Sequence, residues 1–386
     1  MPRQPRRVTD LHLLPGCPPR RPSPLSLWYG VAAPVKPLLN RPAGEVALVL
    51  ARDDLDRWAK AARRLKQSDD PDAVHDFRVA LRRLRSTVRA FRPQLDPLVP
   101  RRTRRRLRQL AKTTGMSRNL QVECGWVLTQ LESLAAPDRA GAQWLVARLA
   151  ERRQGADEQL ARRLAKDFAR VKRKLRRSFK VSGSSLPRSA QSITARVVVR
   201  DSLRRWTREL DHRLRGVRTV ADWGDAHAAR ISVKRIRYLL KPFKREIAAA
   251  GATIEHLAAL QDVLGGLQDS RVLADELRAG FVAVASVQAQ RAYDQLFAWS
   301  AAAAADMEVS PAAHGAGLLT LARRLGAQYE ATFTRLRREW LEQQAAALLL
   351  QLHELGKGRT RGAGSGARPL GSRPRRRREA KVSNSG

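Results

Sequence analysis

Apolar residues recur in steps of three and four along most of the chain, and residues 74–91 show this pattern most regularly. The spacing is typical of an amphipathic helix that turns one side toward a core. Ala, Leu, Arg, Glu and Gln, which favour helix, dominate between the two ends, and runs of β-branched residues are short. The pattern therefore predicts an all-α fold. The apolar stripe of residues 74–91 consists of Val74, Phe77, Leu81, Leu84, Val88 and Phe91.

A second stripe, one position further along the same helix, is basic and lies about 100° round the helix from the apolar one. Arginines at this spacing repel one another, and no acidic residue stands between Arg78 and Arg92 to offset them. An anion would supply the missing charge, because guanidinium groups match phosphate oxygens and a protonated histidine also donates to them. The basic stripe consists of His75, Arg78, Arg82, Arg85 and Arg89, flanked by Arg83.

The same pair of stripes occurs a second time, 152 residues further along the chain. Histidine and arginine are identical at four of the positions, and lysine replaces arginine at others, so the charge is kept where identity is lost. Self-similarity of this kind indicates two copies of one structural unit. The second copy has the apolar residues Ala226, Ala229, Val233, Ile236, Leu240 and Phe243 and the basic residues His227, Arg230, Lys234, Arg237 and Lys241, with Arg235 beside them.

The repeat continues beyond the histidine helix, now at an offset of 150 residues. Gly115 and Gly265 are predicted to stop a helix, which would place Asn119 and Asp269 near the start of the next one. The sequence favours a plain capping role for Asn119 and Asp269, with ligand contact by Arg118 and Arg271 from those helix starts as the alternative. The matching pairs are Leu107 with Leu257, Leu110 with Leu260, Gly115 with Gly265, Asn119 with Asp269 and Val122 with Val272.

The formal net charge of the 386-residue chain is +39, which implies an anionic partner. Residues 1–44 contain ten of the twenty prolines and are predicted to form a disordered Pro/Arg-rich arm. Residues 356–386 are predicted to form a disordered basic tail. These two ends account for +15, so the part between them is itself basic. A dense group, Arg101 to Arg106, stands near a predicted helix start and is not distinguishable by sequence from ordinary surface charge.

Residues 45–355 are predicted to form one domain of two repeats. The stretch Ser182–Pro187 separates the first repeat, 45–182, from the second, 188–355. Each repeat has room for about four long helices, which suggests bundle packing.

Several classes of protein are disfavoured. Cys17 and Cys124 provide neither a disulfide framework nor zinc spacing, and no run of apolar residues is long enough for a membrane span. A soluble, cytoplasmic protein is expected. The acidic residues form no metal-ligand pattern beside the basic stripes, so we expect no catalysis, no metal and no cofactor.

The element His-x-x-Arg-x-x-x-Arg/Lys-Arg-x-Arg, present twice, resembles the CHAD family, the histidine α-helical domain. The segment Leu-Gly-Gly-Leu-Gln-Asp269 is similar to the second signature of that family, whereas the first copy has Asn119 where an acid is usual. The resemblance covers roughly residues 45–350. It implies two four-helix bundles related by pseudo-twofold symmetry, with the histidine helices lining a basic central groove or pore. It also implies binding of inorganic polyphosphate, a linear anion.

Carried onto this sequence, the resemblance gives twelve residues that line the polyphosphate site, with Tyr238 as a further donor. The Glu-x-Glu-x-Lys signature of the CYTH triphosphatase domain, which precedes many such domains, is not found, so a stand-alone domain is expected. The twelve residues are His75, Arg78, Arg82, Arg83, Arg85, Arg89, His227, Arg230, Lys234, Arg235, Arg237 and Lys241.

Two functions remain open from the sequence. The first is non-catalytic binding of polyphosphate, with targeting to polyphosphate granules as a role that the family context suggests. The alternative is a basic helical protein that binds nucleic acid, which the net charge permits. Against the alternative, aromatic residues make up only 5% of the chain and do not interleave with the basic stripes. The charge of the basic tails permits non-specific contact with nucleic acid.

Overall fold

The computed structural model describes residues 37–67, 73–181, 191–296 and 311–357. Within these residues, the segments whose apolar residues recur in steps of three and four form helices. The all-α prediction is therefore confirmed for this part of the chain. The predicted linker Ser182–Pro187, most of the arm and nearly all of the basic tail lie outside the described residues. No helix in the described ranges combines the length and apolar character needed to cross a bilayer.

The first half consists of four long helices and shorter pieces that join or extend them. The last long helix passes through a π-helical stretch, Leu164–Phe168, before it continues to its end. A 3₁₀ turn, Leu38–Asn40, precedes the first helix. The helices are α1 (Ala43–Gln67), α2 (Ala73–Ala90), the short α3 (Arg92–Leu95), α4 (Arg101–Leu131), α5 (Ala136–Arg163) and α6 (Ala169–Ser178).

The second half repeats this order of elements. Its last long helix also contains a π-helical stretch, Leu336–Gln344, and a 3₁₀ turn, Lys241–Phe243, follows the histidine helix. The helices are α7 (Ala195–Gly216), α8 (Trp223–Leu240), α9 (Ala250–Leu296), α10 (Pro311–Arg335) and α11 (Ala345–Lys357). Packing follows the same order in both halves, since α1 packs on α2 and α4 on α5, as α7 packs on α8 and α9 on α10.

The two halves meet through reciprocal backbone contacts. The N–H of Ala43 donates to the carbonyl oxygen of Ile193 at 2.9 Å, and the N–H of Ala195 donates to that of Arg41 at 2.9 Å. Both pairs of counterparts are 152 residues apart. When residue i of one copy contacts residue j of the other and j contacts i, the contact has the form that a twofold axis produces. The pseudo-twofold relation of the complete halves stays a prediction.

Helices α5 and α10 cross in a similar reciprocal way at two glycines. A Cβ atom on Gly141 would lie 2.9 Å from the Cα of Gly317, and a Cβ atom on Gly317 would lie 2.9 Å from the Cα of Gly141. These separations are too short for any side chain at either position, so glycine is required for the backbones to approach this closely.

Two hydrophobic cores hold the domain together, and each takes residues from both halves. The first core lies around α1, α2, α7 and α8 and contains Trp58, Phe77 and Phe243, all fully buried. The second core lies between the later parts of α4 and α9 and the helices α5 and α10. The cores therefore do not coincide with the two repeats. The second core includes Leu120, Val127, Leu145, Leu149, Leu273, Leu277, Leu318 and Leu321.

The predicted helix stops at Gly115 and Gly265 are wrong, because α4 and α9 run through both positions without interruption. Gly265 is buried, and a Cβ atom there would lie 3.9 Å from Nε of Arg230. A Cβ atom at this position would make an ordinary van der Waals contact, so Gly265 neither ends a helix nor is required for the packing of α8. Nothing lies within 4 Å of a Cβ atom on Gly115, and no contact explains that glycine. Asn119 and Asp269 consequently lie inside helices and cap neither of them.

The folded region also begins earlier than predicted. Leu39, which the sequence places in the arm, is 1% exposed. The backbone N–H groups of Leu38 and Leu39 donate to the two carboxylate oxygens of Glu246, each at 2.8 Å. These contacts tie residues 37–42 to the second half of the chain.

Candidate functional site

Helices α2 and α8 bury the apolar stripes that their sequences predict. Phe77, Leu84, Val233 and Ile236 are fully buried, whereas Val74, at the first turn of α2, is only half-buried. The two helices also contact each other directly. Because each basic stripe lies beside an apolar stripe, this packing brings cations from the two copies close together.

Four of the predicted residues form the centre of this arrangement, and we call them the central cluster: Arg78 and Arg82 from α2, Arg230 and Lys234 from α8. Burial, followed by the nearby charges of Arg230 and Arg82, lowers the pKa of Lys234 to about 7. Burial also lowers the pKa of Arg78 to about 10, and the charge of Arg82 adds to this shift. Shifts of this direction mean that the cations are held closer together, and with less water, than free side chains would be.

Among the described residues, Asp269 is an acid whose charge acts on three members of the central cluster. Its Oδ1 lies 3.9 Å from Nη2 of Arg230, and its charge opposes the lowering of the pKa of Arg230, Lys234 and Arg78. The Asp269 side chain is 57% exposed, so water screens much of its charge. One exposed carboxylate leaves most of the charge of the central cluster uncompensated.

Further from the centre, the basic residues of the two helices form a reciprocal pattern. The pKa of Lys241 is lowered by burial and then by the charges of Arg237 and Arg83. The pKa of Arg89 is lowered by burial and then by the charge of Arg235. Arg83 and Arg235 are counterparts in the repeat, and so are Arg89 and Lys241. This is again the form of contact that a twofold axis produces.

On α8, several of the predicted residues have partners within the protein. Nη1 of Arg235 donates to both carboxylate oxygens of Glu209, at 2.9 and 3.0 Å. Nη1 of Arg237 donates to Oε1 of Gln261 at 2.6 Å, and Nδ1 of the half-buried His227 is hydrogen-bonded to Oε1 of Gln268. The ammonium group of Lys241 lies 5.6 Å from the ring centre of Tyr238. These contacts fix the positions of the α8 side chains.

On α2, the corresponding residues lack such partners. Among the residues that the structure describes, no carboxylate pairs with the five predicted arginines of α2. Within the described residues, Nη1 of Arg78 on α2 is buried without a hydrogen-bond partner, and so are the Nε atoms of Arg230, Arg235 and Arg237 on α8. Buried donors without partners are costly, so a bound anion that reached them would relieve this cost. His75 is exposed at the first turn of α2. The five arginines are Arg78, Arg82, Arg83, Arg85 and Arg89.

The two arginines expected at helix starts occupy different environments. The charge of Arg118 contributes to the lowered pKa of Arg78, so Arg118 is close to the central cluster. Arg271 instead lies 5.2 Å from the ring centre of Trp223 and pairs with Asp275 at 3.1 Å. It lines an apolar cavity together with Tyr329. The prediction that Arg271 shares the basic site is not supported by this placement.

Sequence reasoning missed one wall of the site. Arg101, Arg104 and Arg108 of α4 line a cavity together with Arg85 and Arg89 of α2. Their spacing of three and four places them on one face of α4, and this spacing was a signal available in the sequence. The partners Glu209, Gln261 and Gln268 gave no comparable signal, because they lie 24 to 41 residues from the side chains that they contact.

These features define an all-α domain with an internal repeat, in which two similar helices share one basic site. The sequence profile of the CHAD domain matches residues 49–278. The chain belongs to the CHAD domain family, which confirms the resemblance drawn from the two histidine helices.

Two solved structures are similar to this chain. The CHAD domain from the plant Ricinus communis matches with a TM-score of 0.51 at 22% sequence identity, covering 77% of this chain and 93% of that chain. PptA from Streptomyces chartreusis matches with a TM-score of 0.56 at 15% identity, covering 81% of this chain and 99% of that chain. At these identities the likeness concerns the fold alone. The search of curated proteins found no match.

Proposed function

We propose that this protein binds inorganic polyphosphate without catalysing a reaction, through the basic stripes of α2 and α8. The observation that carries the proposal is the central cluster, in which four cations from two helices are partly buried with one exposed carboxylate beside them. The proposal covers all twelve residues expected from the sequence, with Arg78, Arg82, Arg230 and Lys234 as the main contacts.

The charge balance supports an extended anion. Burial lowers the pKa of Lys234 to about 7, which means that the charged form is unfavourable until an opposite charge arrives. The arginines of α2 continue from this cluster along the helix without paired carboxylates. Inorganic polyphosphate, with about one charge per phosphate, supplies a negative charge beside each cation, and arginine binds phosphate oxygens in pairs.

The absence of base-stacking features in the sequence favours polyphosphate over nucleic acid. Single-stranded nucleic acids are held by aromatic side chains that stack on the bases, and the predicted contacts on α2 and α8 are cationic except for the two histidines and Tyr238. The basic tails are proposed to add non-specific contact with polyanions. Association with polyphosphate granules would follow from binding of the polymer.

A titration with long-chain polyphosphate tests the proposal. The variant Arg78→Gln, Arg82→Gln, Arg230→Gln, Lys234→Gln removes the central cluster. A control with the same change in charge carries Arg170→Gln, Arg173→Gln, Lys174→Gln and Arg177→Gln on the exposed face of α6. We expect the cluster variant to lose at least about 100-fold in affinity, because hydrogen bonds between charged groups contribute about 1.5–3 kcal/mol each. The control variant should lose only a few-fold.

The same titration distinguishes the alternatives. Affinity should fall steeply with added salt, and duplex DNA of matched total charge should not displace polyphosphate. Equal losses in the two variants, together with easy displacement by DNA, would mean that net charge dominates and would favour nucleic-acid binding. Release of orthophosphate from the bound polymer, measured over hours, would contradict the non-catalytic part of the proposal.

A further inference from the structure

A half-open cavity of about 360 Å³ lies between α2, α3 and α4, and arginines form its walls. Its floor is made by Val88 and Leu107, which are buried and apolar. The volume equals that of about a dozen water molecules at ~30 Å³ each, which is room for a compact anionic group. The arginines are Arg85, Arg89, Arg92, Arg101, Arg104 and Arg108.

The charge of this arginine cavity is far from balanced. Within the described ranges, Asp96 is the carboxylate that forms salt bridges with the cavity arginines, since it pairs with Arg104 and lies 3.4 Å from Nε of Arg92, and the charge of Glu209 also acts on Arg89. Burial, followed by the charges of Arg89 and Arg108, lowers the pKa of Arg85 to about 10. The cavity is therefore a second place, beside the central cluster, where an anion would relieve repulsion between cations.

The start of α4 adds to this imbalance. Its first turn contains Arg101, Arg102 and Arg104 and no acidic residue. Cations are unfavourable at this end of a helix, where the helix dipole favours negative charge. The second half has no matching wall, because Gly251, Ile254 and Ala258 stand at the corresponding positions of α9. The arginine cavity thus distinguishes the first half from the second.

The cavity is continuous with the basic stripe of α2. Arg85 and Arg89 belong both to that stripe and to the cavity wall. Eleven residues separate Arg78 from Arg89, which corresponds to about 16 Å along the helix at ~1.5 Å per residue. An extended anion that leaves the central cluster along α2 therefore reaches the arginine cavity, where the apolar floor offers no further contact to a charged chain.

We propose that the arginine cavity binds the terminal phosphate of a linear polyphosphate, so that the site recognises the end of the chain as well as its interior. This inference depends on the proposed function, which is the binding of polyphosphate. An internal phosphate has two non-bridging oxygens and about one charge. A terminal phosphate, like a phosphate monoester, has three such oxygens and a second charge with a pKa of about 6. Six arginines around a small cavity match the more highly charged group.

The test compares short linear polyphosphates of one defined length that differ only at their ends. One probe has free terminal phosphates, and the other has both ends converted to phosphoramidates. The cavity variant carries Arg101→Gln, Arg104→Gln and Arg108→Gln. The matched control carries Arg102→Gln, Arg105→Gln and Lys112→Gln, which removes the same charge from exposed positions of the same helix.

We expect the unmodified protein to bind the free-ended probe about tenfold more tightly than the blocked probe. The cavity variant should bind both probes equally, and the control variant should keep the preference. If the cavity variant does not fold, as judged by circular dichroism, the single change Arg108→Gln should reduce the preference at least by half.

The outcomes separate this inference from the proposed function. Equal binding of both probes by the unmodified protein, with binding still lost in the central-cluster variant, would overturn the end-binding cavity alone. Equal loss of the preference in the cavity and control variants would also overturn it. Failure of the central-cluster variant to weaken either probe would overturn the proposed function itself.

Discussion

Helices α2 and α8 present matching basic residues, yet their charges are balanced differently. On α8, Arg235 is paired with Glu209, Arg237 with Gln261 and His227 with Gln268. On α2 the counterparts Arg83, Arg85 and His75 have no such partner in the described part of the chain. The predicted residues of α8 are therefore fixed by more side-chain contacts than those of α2, and we expect the α2 residues to contribute more to ligand binding.

The largest difference in polyphosphate affinity should appear when the same two repeat positions are changed in α2 and, separately, in α8. We expect Arg83→Gln with Arg85→Gln to weaken polyphosphate binding about 100-fold, because neither side chain has a salt-bridge partner among the described residues that would compete with phosphate. The counterpart pair, Arg235→Gln with Arg237→Gln, should weaken binding only about tenfold. Isothermal titration calorimetry measures both.

The melting temperatures of these two variants should show the opposite order of effects. The α8 pair leaves Glu209 without its partner and should lower the melting temperature, whereas the α2 pair removes repulsion and should leave it unchanged or raise it. Equal effects of the two pairs on both affinity and stability would contradict the difference that we infer between the helices.

The change of polyphosphate affinity with pH should arise at one repeat position, which is arginine on α2 and lysine on α8. Burial, with the charges of Arg230 and Arg82, lowers the pKa of Lys234 to about 7. The charged form binds the anion, so affinity is full below this pKa and falls as the free protein loses the proton above it. We expect a decrease of about tenfold between pH 6 and pH 8.

The change Lys234→Arg should remove most of this decrease, because arginine stays charged throughout that range. The reverse substitution at the counterpart position, Arg82→Lys, should make the decrease steeper. A stability measurement without ligand provides a second check. Between the folded pKa near 7 and the ordinary lysine value, the unfolded chain binds more protons, so stability should rise with pH. A decrease that persists in Lys234→Arg would point to other titrating groups.

A smaller effect on polyphosphate affinity and melting temperature is expected from a substitution that makes α8 resemble α2. The change Glu209→Gln removes the carboxylate that pairs with Arg235 and whose charge also acts on Arg89. Polyphosphate affinity should rise about threefold, while the melting temperature falls by about 2 °C. Glu255→Gln, at an exposed position of α9, serves as the control and should change neither quantity.

The smallest effect on polyphosphate affinity should come from substitution of the two histidines. His75→Ala should reduce affinity about threefold or less without changing stability, because the side chain is exposed and has no hydrogen-bond partner among the described residues. His227→Ala breaks the contact with Gln268 and should lower the melting temperature measurably. A reversed order in differential scanning fluorimetry would mean that the two helices are not distinguished in this way.

The fold followed from the sequence because helix periodicity is a local property. The apolar stripes on α2 and α8 are buried as predicted, apart from Val74. The glycine interpretation failed because α4 and α9 continue through Gly115 and Gly265, and most helical stability in proteins comes from tertiary packing, which local turn preferences do not report. The predicted C-terminal end of the arm was wrong for a related reason. Prolines at positions 37 and 42 suggested disorder, whereas Glu246, more than 200 residues away, holds the intervening backbone.

The candidate site was predictable in part. The repeat showed which residues lie on the basic faces, since that depends only on helix spacing. It did not show that Arg235 is neutralised, because Glu209 lies on α7 and the pairing depends on how two helices pack. The arginines of α4 were visible as a group, but their approach to Arg85 and Arg89 also depends on packing.

The second core has a consequence for synthesis of the protein. Leu145 and Leu149 of α5 are buried against Leu318 and Leu321 of α10, which the ribosome adds more than 160 residues later. At a synthesis rate of about 5–20 residues per second, α5 waits on the order of ten seconds or longer for its partner. During that interval, the part of the apolar face of α5 that packs on α10 is open to other chains. A nascent chain of this protein is therefore expected to be a substrate for chaperones until α10 has emerged.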